Sequence, residues 1–535
     1  MFDHTRVLEG LEKLAKAGAF STSKDSTNLA KGGGGLAPDV MANLAKSGVD
    51  AAALATLVPQ DLERMAHNTT WRPDSPYELT FLKTIPRTPA TAIRHEFVRF
   101  NGYSNRKRIF GNFSERALPA SSRFEAARRY VDIKLVGEMS DVYLLAALEQ
   151  TINALGTSGA AQIEANALQF QVLGRKQQAF LFSRTDTVRL GSASTRVRGL
   201  VQAIQEGTDG TEDSSPIGSH VIDLEGKPLT QAIVRQYTTE VIKAYGLPNT
   251  LYMSPDTRAG FEASLDGSYW TPLPFQGTDW KLGTPVRGFR SQTAEISFIT
   301  DNLLQPDHKL SPFGRYTTEL DEAAPTTRPT INSCVASTAS PTKWDAASAG
   351  DIFYFVTETV NEYESLGSRY PATVGTYLTV AADQIVTFSV TPGTPTADSF
   401  RVYRGKSGDG LGETPYFAFE VANGTTGGAV TFVDRNYDRP GTDYAFMLSV
   451  NSDAQRAIAS GETFANLAAR SEDFFNQPDD EMSNTVCFAE LGQRLMHMQL
   501  AAILPTVSRP LMASAMTAQV RQPRKNIVFK NVGRA

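Results

Sequence analysis

The sequence predicts an α+β fold interrupted by an inserted all-β sandwich, and three features lead to that reading. A proline-free window from Ala120 to Ser215 contains a strong helical pattern at Ala160–Phe182. Around Ala324 the composition turns to threonine, proline and glycine with short strand patterns between them, and it stays so to about Gly441. Beyond that, Tyr444–Val450 (YAFMLSV) and Cys487–Leu504 return to the mixed character seen before Ala324. The β-rich stretch therefore interrupts one domain and does not follow it.

Residues 1 to about 75 read as an amino-terminal arm. Gly32 to Gly35 are four consecutive glycines, costly to order. The apolar spacing between Pro38 and Met65 (Val40, Leu44, Leu54, Leu57, Leu62, Met65) is helical but too interrupted to stand alone, so it is expected to lie on a neighbour's surface. Arg94 opens a strand, RHEFVRF, and a second strand returns at Tyr130–Val136, where Val131, Ile133 and Leu135 alternate with Asp132 and Lys134. Between them Asn101–Arg128 forms an excursion far longer than an ordinary hairpin turn. It is basic: Arg106, Lys107, Arg108, Arg116, Arg123 and Arg128 face only Glu115 and Glu125. A solvated surface loop and a functional extension are both open at this point.

Helical patterns are expected at Asp141–Leu155 and Ala160–Phe182, the latter with Ile163, Ala167, Phe170, Leu173, Gln177 and Phe180 along one stripe. Another runs from Leu229 to Tyr245 and stops at Gly246-Leu247-Pro248. Thr250–Met253 reads as a strand leading to Ser254-Pro255, where Ser254 can cap a new helix and Pro255 can occupy its first position. Within 325–441 the strand candidates are Ile352–Thr357, Gln384–Val390, Phe400–Arg404, Tyr416–Val421 and Ala429–Val433, a spacing that fits a β-sandwich.

Composition narrows the function. With 535 residues the chain can hold several domains. Lys plus Arg number 52 against 57 Asp plus Glu, the wrong sign for a protein whose main task is gripping phosphates. Cys334 and Cys487 stand far apart, which gives no support to a disulfide framework and fits a reducing compartment. Met1–Phe20 lacks the apolar run of a secretory signal and no segment approaches a membrane span, so the expectation is a protein made in the cytoplasm and free of membranes.

A search for chemistry returns little. The histidines (His4, His67, His95, His220, His308, His497) are scattered, and neither cysteine has a partner at ligand spacing. His95-Glu96 opens like a zinc-protease motif, but Arg99 stands where the second histidine belongs. Gly405-Lys406-Ser407 lacks the upstream glycine of a phosphate loop, Phe400 holding that place, and reads as a turn after a strand. Asp479-Asp480 beside Pro478 reads as an exposed turn. The expectation is no enzyme activity, no cofactor and no metal.

The order of parts, with the stretches AARRYVDIKLVGEMSD, QFQVLGRKQQAFLF, GLPNTLYMSPDTRAGFE and RQPRKNIVFKNVG, resembles the major capsid proteins of tailed bacteriophages. The resemblance implies an N-arm (1–75), a capsid core (76–324) with an E-loop (94–136), a spine helix (160–182) and an A domain (about 183–300), and a return to that core at 442–535. SFRVYRGKSGDG, FVDRNYDRPGTDYAF and IFYFVTETVNEYESLGS resemble strands and turns of immunoglobulin-like or fibronectin-type modules, which makes 325–441 the insert. The implied function is structural: hexamers and pentamers of this chain close an icosahedral or prolate shell around double-stranded DNA, touched only loosely. The implied partners are the chain itself with portal and decoration or scaffold proteins, and the implied location is the virion, assembled in the host cytoplasm. Inter-subunit contacts would fall on Arg106, Lys107, Arg108, Glu115, Arg116 and Arg123. Two other readings stay open: a virion or surface-display binding protein centred on the sandwich, and an enzyme of unrecognised type.

Overall fold

One strand, Val507–Val520, organises the first half of the architecture because it is long enough to pair with two partners along each edge. On one edge it meets Val486–Leu491 and Met496–Leu500, and on the other Lys134–Met139 and Val142–Tyr143, all antiparallel; Arg87–Ala90 adds a parallel strand beyond Val486–Leu491. The description comes from a computed structural model and covers residues 79–103, 124–140, 142–143, 160–189, 196–210, 218–244, 246–264, 288–291, 294–305, 308, 311–319, 324–407, 414–424, 427–450, 485–500 and 507–534. These residues all belong to one compact unit. The amino-terminal arm and the tip of the basic excursion lie outside the described residues.

The helix Ala160–Phe182 has the bounds that its pattern predicts and packs across the first sheet. Among its described positions the buried ones are Leu168, Val172, Leu173, Gly174, Lys176, Gln177, Gln178, Phe180, Leu181 and Phe182. Leu173, Gln177 and Phe180 belong to the expected stripe, but Ala167 is exposed and Phe170 is only half-buried. The difference has a physical cause: the second half of the helix is enclosed from two sides. Glu490 of the sheet receives Lys176, while Asp301 and Leu303 receive Gln177 and Gln178. Lys176 and Glu490 are both fully buried, 2.8 Å apart, with Ser514 Oγ donating to the same carboxylate oxygen and Arg87 Nε 2.5 Å from the other.

The second sheet has the order Val221–Asp223, Ile527–Val532, Asp443–Leu448, Thr250–Met253, Ala294–Thr300, Gly288–Ser291. Asp443–Leu448, the first strand after the β-rich stretch, lies in its middle, antiparallel to both neighbours. Such a strand is buried on both faces, and its Ala445–Leu448 stretch is an uninterrupted apolar run. Phe446 and Leu448, with Tyr252 and Val528, join Phe81, Phe180 and Phe488 in a core shared with the first sheet and the long helix. Ala445 and Met447, with Leu251, Met253, Ile527 and Phe529, turn to the helices Gln231–Lys243 and Pro255–Ser264. Ser254 caps the latter helix as expected, its Oγ accepting from Thr257 N at 3.1 Å.

Residues 330–434 build two further sheets. Thr330–Thr338, Gln384–Thr391 and Val430–Asp434 form one. The other places Gly350–Val360 against Ser399–Lys406, with Tyr416–Ala422 outside the latter and three short strands, Tyr363–Glu364, Ser368–Tyr370 and Leu378–Val380, along its other edge. Residues of both sheets share a core of Tyr354, Phe388, Phe400 and Phe432 with Trp344. All five expected strands are present, four of them extended by one or more residues and the fifth shifted by one to Val430–Asp434; Thr330–Thr338 was not among them because its NSCVAST run alternates poorly.

Four local expectations need correction. The returning strand at Tyr130–Val136 breaks at Ile133, which gives Phe124–Asp132 to the hairpin and Lys134–Met139 to the first sheet. Val142–Tyr143, expected inside a helix, is a short strand because it continues the edge of Val507–Val520; most of Asp141–Leu155 lies outside the described residues. The helix expected at Leu229–Tyr245 spans Gln231–Lys243. Gly405 is no turn residue but sits inside a strand opposite Phe353, where a Cβ would come 2.3 Å from the Phe353 ring.

Removing one member of a buried ion pair strands the other, at a cost of about 3–5 kcal/mol. Lys176→Met should therefore lower the urea midpoint of the protein substantially, and adding Glu490→Met should recover part of the loss. An unchanged midpoint for the single variant would mean that the pair does not hold the helix to the sheet.

Candidate functional site

The described residues offer little to a reaction. Among them no group of three or more His, Cys, Asp or Glu is placed to hold a metal ion, and no helix is long and apolar enough to cross a membrane. A shallow depression at the edge of the sandwich is lined by Pro325, Thr327, Asn361, Tyr363 and Thr394, without paired acids or bases. Several buried polar groups are committed to structure. Ser254 donates to Asp443 while capping its helix, and Thr257 Oγ1 donates to the same carboxylate at 3.0 Å; burial pushes the Asp443 carboxyl up and these donors oppose it. Burial lowers the His220 imidazole, whose Nδ1 lies 3.0 Å from Asn526 O.

What the fold does present is surface. Arg94–Tyr103 and Phe124–Asp132 make a two-stranded ribbon that pairs with no other strand among the described residues. Alternation assigns its faces. Arg94, Glu96, Val98, Arg128, Tyr130 and Asp132 point one way and are exposed; His95, Phe97, Arg99, Ala127, Arg129 and Val131 point the other way and are covered in part or in full. On the exposed face Val98 (57 % exposed) and Tyr130 are framed by the ion pairs Arg94–Asp132 and Arg128–Glu96, and the Arg94 guanidinium lies 4.3 Å from the Tyr130 ring centre. Arg99 ties the ribbon to the first sheet: Nη2 donates to Val520 O at 2.9 Å and Nε to Arg521 O at 3.1 Å. The position that fails as a zinc ligand is thus an anchor.

The ribbon runs through Ile133 directly into the first sheet, whose second face is open. Met512 faces Leu168 and Val172 of the long helix, and Ser514 faces Glu490, so the intervening residues face away. Register places Met139, Leu511 and Met498 in one row and Gly137, Ala513 and Met496 in the next. Leu135 is 65 % exposed, and Met139, Met498 and Leu500 are exposed as well. Gly137 fits this row because a Cβ there would come 2.8 Å from Ala513 Cβ. Exposed apolar side chains gathered on one sheet face mark a contact surface.

The site residues expected from sequence, Arg106, Lys107, Arg108, Glu115, Arg116 and Arg123, all lie outside the described residues. Those that sequence reasoning missed are Val98, Tyr130, Leu135, Met139, Met498 and Leu500. A signal existed in KLVGEM, where Leu135 and Met139 share a face, but sequence patterning assigns such a face to the core and not to solvent.

Arg99→Ala should leave the two carbonyls that close the ribbon base without their charged donor, a loss of about 1–3 kcal/mol. Amide exchange in 94–103 and 124–132 should then accelerate while that of 527–532 stays as in the wild type; equal protection in both proteins would remove Arg99 as the anchor.

No protein-family model matches the chain, and no curated protein sequence matches it. Among solved structures, one of Gordonia phage Cozz is similar at 9% identity and a TM-score of 0.37, over 90% of this chain and 93% of that one. One of Mycobacterium phage Ogopogo is similar at 8% identity and a TM-score of 0.37, over 90% and 98%. The holo-SrpI encapsulin complex from Synechococcus elongatus PCC 7942 is similar at 8% identity and a TM-score of 0.34, over 90% and 95%.

Proposed function

We propose that this chain is a structural protein of a virion, a major capsid protein of the tailed-phage type that assembles with copies of itself. The observation that carries the reading is the ribbon with the open sheet face behind it. An isolated two-stranded ribbon is marginal in water, and an uncovered apolar sheet face is unfavourable for a monomer. Both become favourable at once if each subunit's ribbon lies on a neighbour. In this reading the ribbon corresponds to the E-loop, the long helix to the spine helix, the α/β sheet to the A domain, and residues 325–441 to the insert.

In this reading hexamers and pentamers close a shell around double-stranded DNA, with the same surfaces meeting in slightly different environments. Arg106, Lys107, Arg108, Arg116 and Arg123, with Glu115, would sit at the far end of the ribbon and meet charges on a neighbour, setting register more than adding affinity. The net charge of −5 fits loose contact with DNA. Portal, decoration or scaffold proteins would be further partners. The proposed role is non-enzymatic, performed in the virion after assembly in the host cytoplasm.

Leu135→Glu with Met139→Glu changes only exposed side chains, so the subunit should keep its circular dichroism and its unfolding midpoint. It should sediment as small species where the wild type forms large particles. Charge reversal of Arg106, Lys107 and Arg108 to Glu should act in the same direction. Wild-type particle yield from a folded Leu135→Glu/Met139→Glu protein would show that the open face is not an assembly surface.

A further inference from the structure

Among the contacts between the sandwich and the rest of the described chain, three differ in what they can fix. Phe313 stacks on Tyr444 at 4.9 Å and meets Phe182 and Phe417 edgewise or tilted, but it lies on the segment that leads into the sandwich and would follow any swing. Lys343 with Glu225 and Lys530 with Asp438 pair across the junction with substantially exposed side chains, so solvent and salt weaken them. The third contact is Arg196.

Arg196 is only 12 % exposed, and its guanidinium is used on every nitrogen. Nη1 and Nη2 donate to the two oxygens of Glu420 at 2.7 and 2.8 Å, a bidentate fork. Nε donates to Glu362 at 2.8–2.9 Å, and Nη1 also to Thr187 Oγ1 at 3.0 Å. Glu420 lies on the strand Tyr416–Ala422 and Glu362 in the turn after Gly350–Val360, so one body residue grips two separate places on the same sandwich sheet. Both partners are set in advance. Ser399 donates to Glu420, and the turn holding Glu362 is fixed by Asn361 N donating to Asp398 Oδ2 at 2.8 Å. The base of the clamp is equally fixed, since Gly199 N donates to Ser183 O just after the long helix, and Arg189 N crosses the junction to Asp398 O at 3.0 Å.

We propose that Arg196 latches the sandwich to the body at one fixed angle, so that it is a rigid projection of the subunit and does not swing on its two connections. A planar fork on one carboxylate with a third donor on another restricts rotation as well as separation, which a lysine in the same place would not do. Since the latch lies within one chain, this inference holds whether or not the chain assembles.

The test is the spread of distances between sandwich and body in the full chain. Cys334 and Cys487 are buried, so spin labels can be directed to Val374→Cys on the sandwich (Val374 is 78 % exposed) and Lys243→Cys on the body. The doubly labelled wild type should give one narrow distance distribution. Arg196→Ala should broaden it at least twofold while circular dichroism shows the chain still folded, and Arg196→Lys, which keeps the charge but not the fork, should fall between. A distribution as narrow in Arg196→Ala as in the wild type would overturn the latch, and so would a wild type that is already broad. If Arg196→Ala does not fold, Arg196→Lys decides the matter: a width equal to that of the wild type overturns the proposal and a broader one supports it.

Discussion

Lys176 and Glu490 meet where water does not reach, and much of the molecule depends on their meeting. A lysine within a long helix and a glutamate within a strand would each be costly to bury alone, so the helix must lie where the two charges find each other. That contact selects the face of the first sheet that the helix covers, and Ser514 and Arg87 complete the surroundings of the carboxylate. Once the helix is on that face, Phe180 and Phe182 are brought to Phe81, Phe446 and Phe488, and the first and second sheets share one core.

The same choice leaves the opposite face bare. Ala489 and Ala515 are covered there by Ala90 and Ile133, but Leu135, Met139, Met498 and Leu500 are not. The ribbon leaves the sheet at this point, held at its base by Arg99 and bearing Tyr130 and Val98 outward. A subunit of this form has an unsatisfied surface and an unsupported extension side by side. Association of identical copies, the role proposed for the chain, would cover both.

Much of this was legible in the sequence, and where it was not the cause lies in particular residues. The long helix was read to its ends because proline is absent and its apolar spacing is regular; YAFMLSV was recognised as a return to the first fold because it resumes the mixed character of the chain before Ala324. The orientation of that helix was misread at Ala167 and Phe170 because a stripe drawn from apolar residues cannot anticipate a buried Lys176, whose partner Glu490 lies far away in the chain. The break at Ile133 was invisible for a similar reason: alternation runs unbroken through it, and only the competing edge of Val507–Val520 divides the strand. The open face was missed because apolar alternation does not say which side will remain uncovered. Arg99 carried a signal that went unused, an arginine on the covered face of a strand, which requires an acceptor.

Self-association is the claim on which the functional account stands, and sedimentation velocity of the purified wild-type chain, with electron microscopy of the fastest fraction, tests it most directly. The account predicts closed particles tens of nanometres across, far larger than a single chain. A species that stays at the size of one or a few folded chains across the accessible range of protein and salt concentration would contradict it.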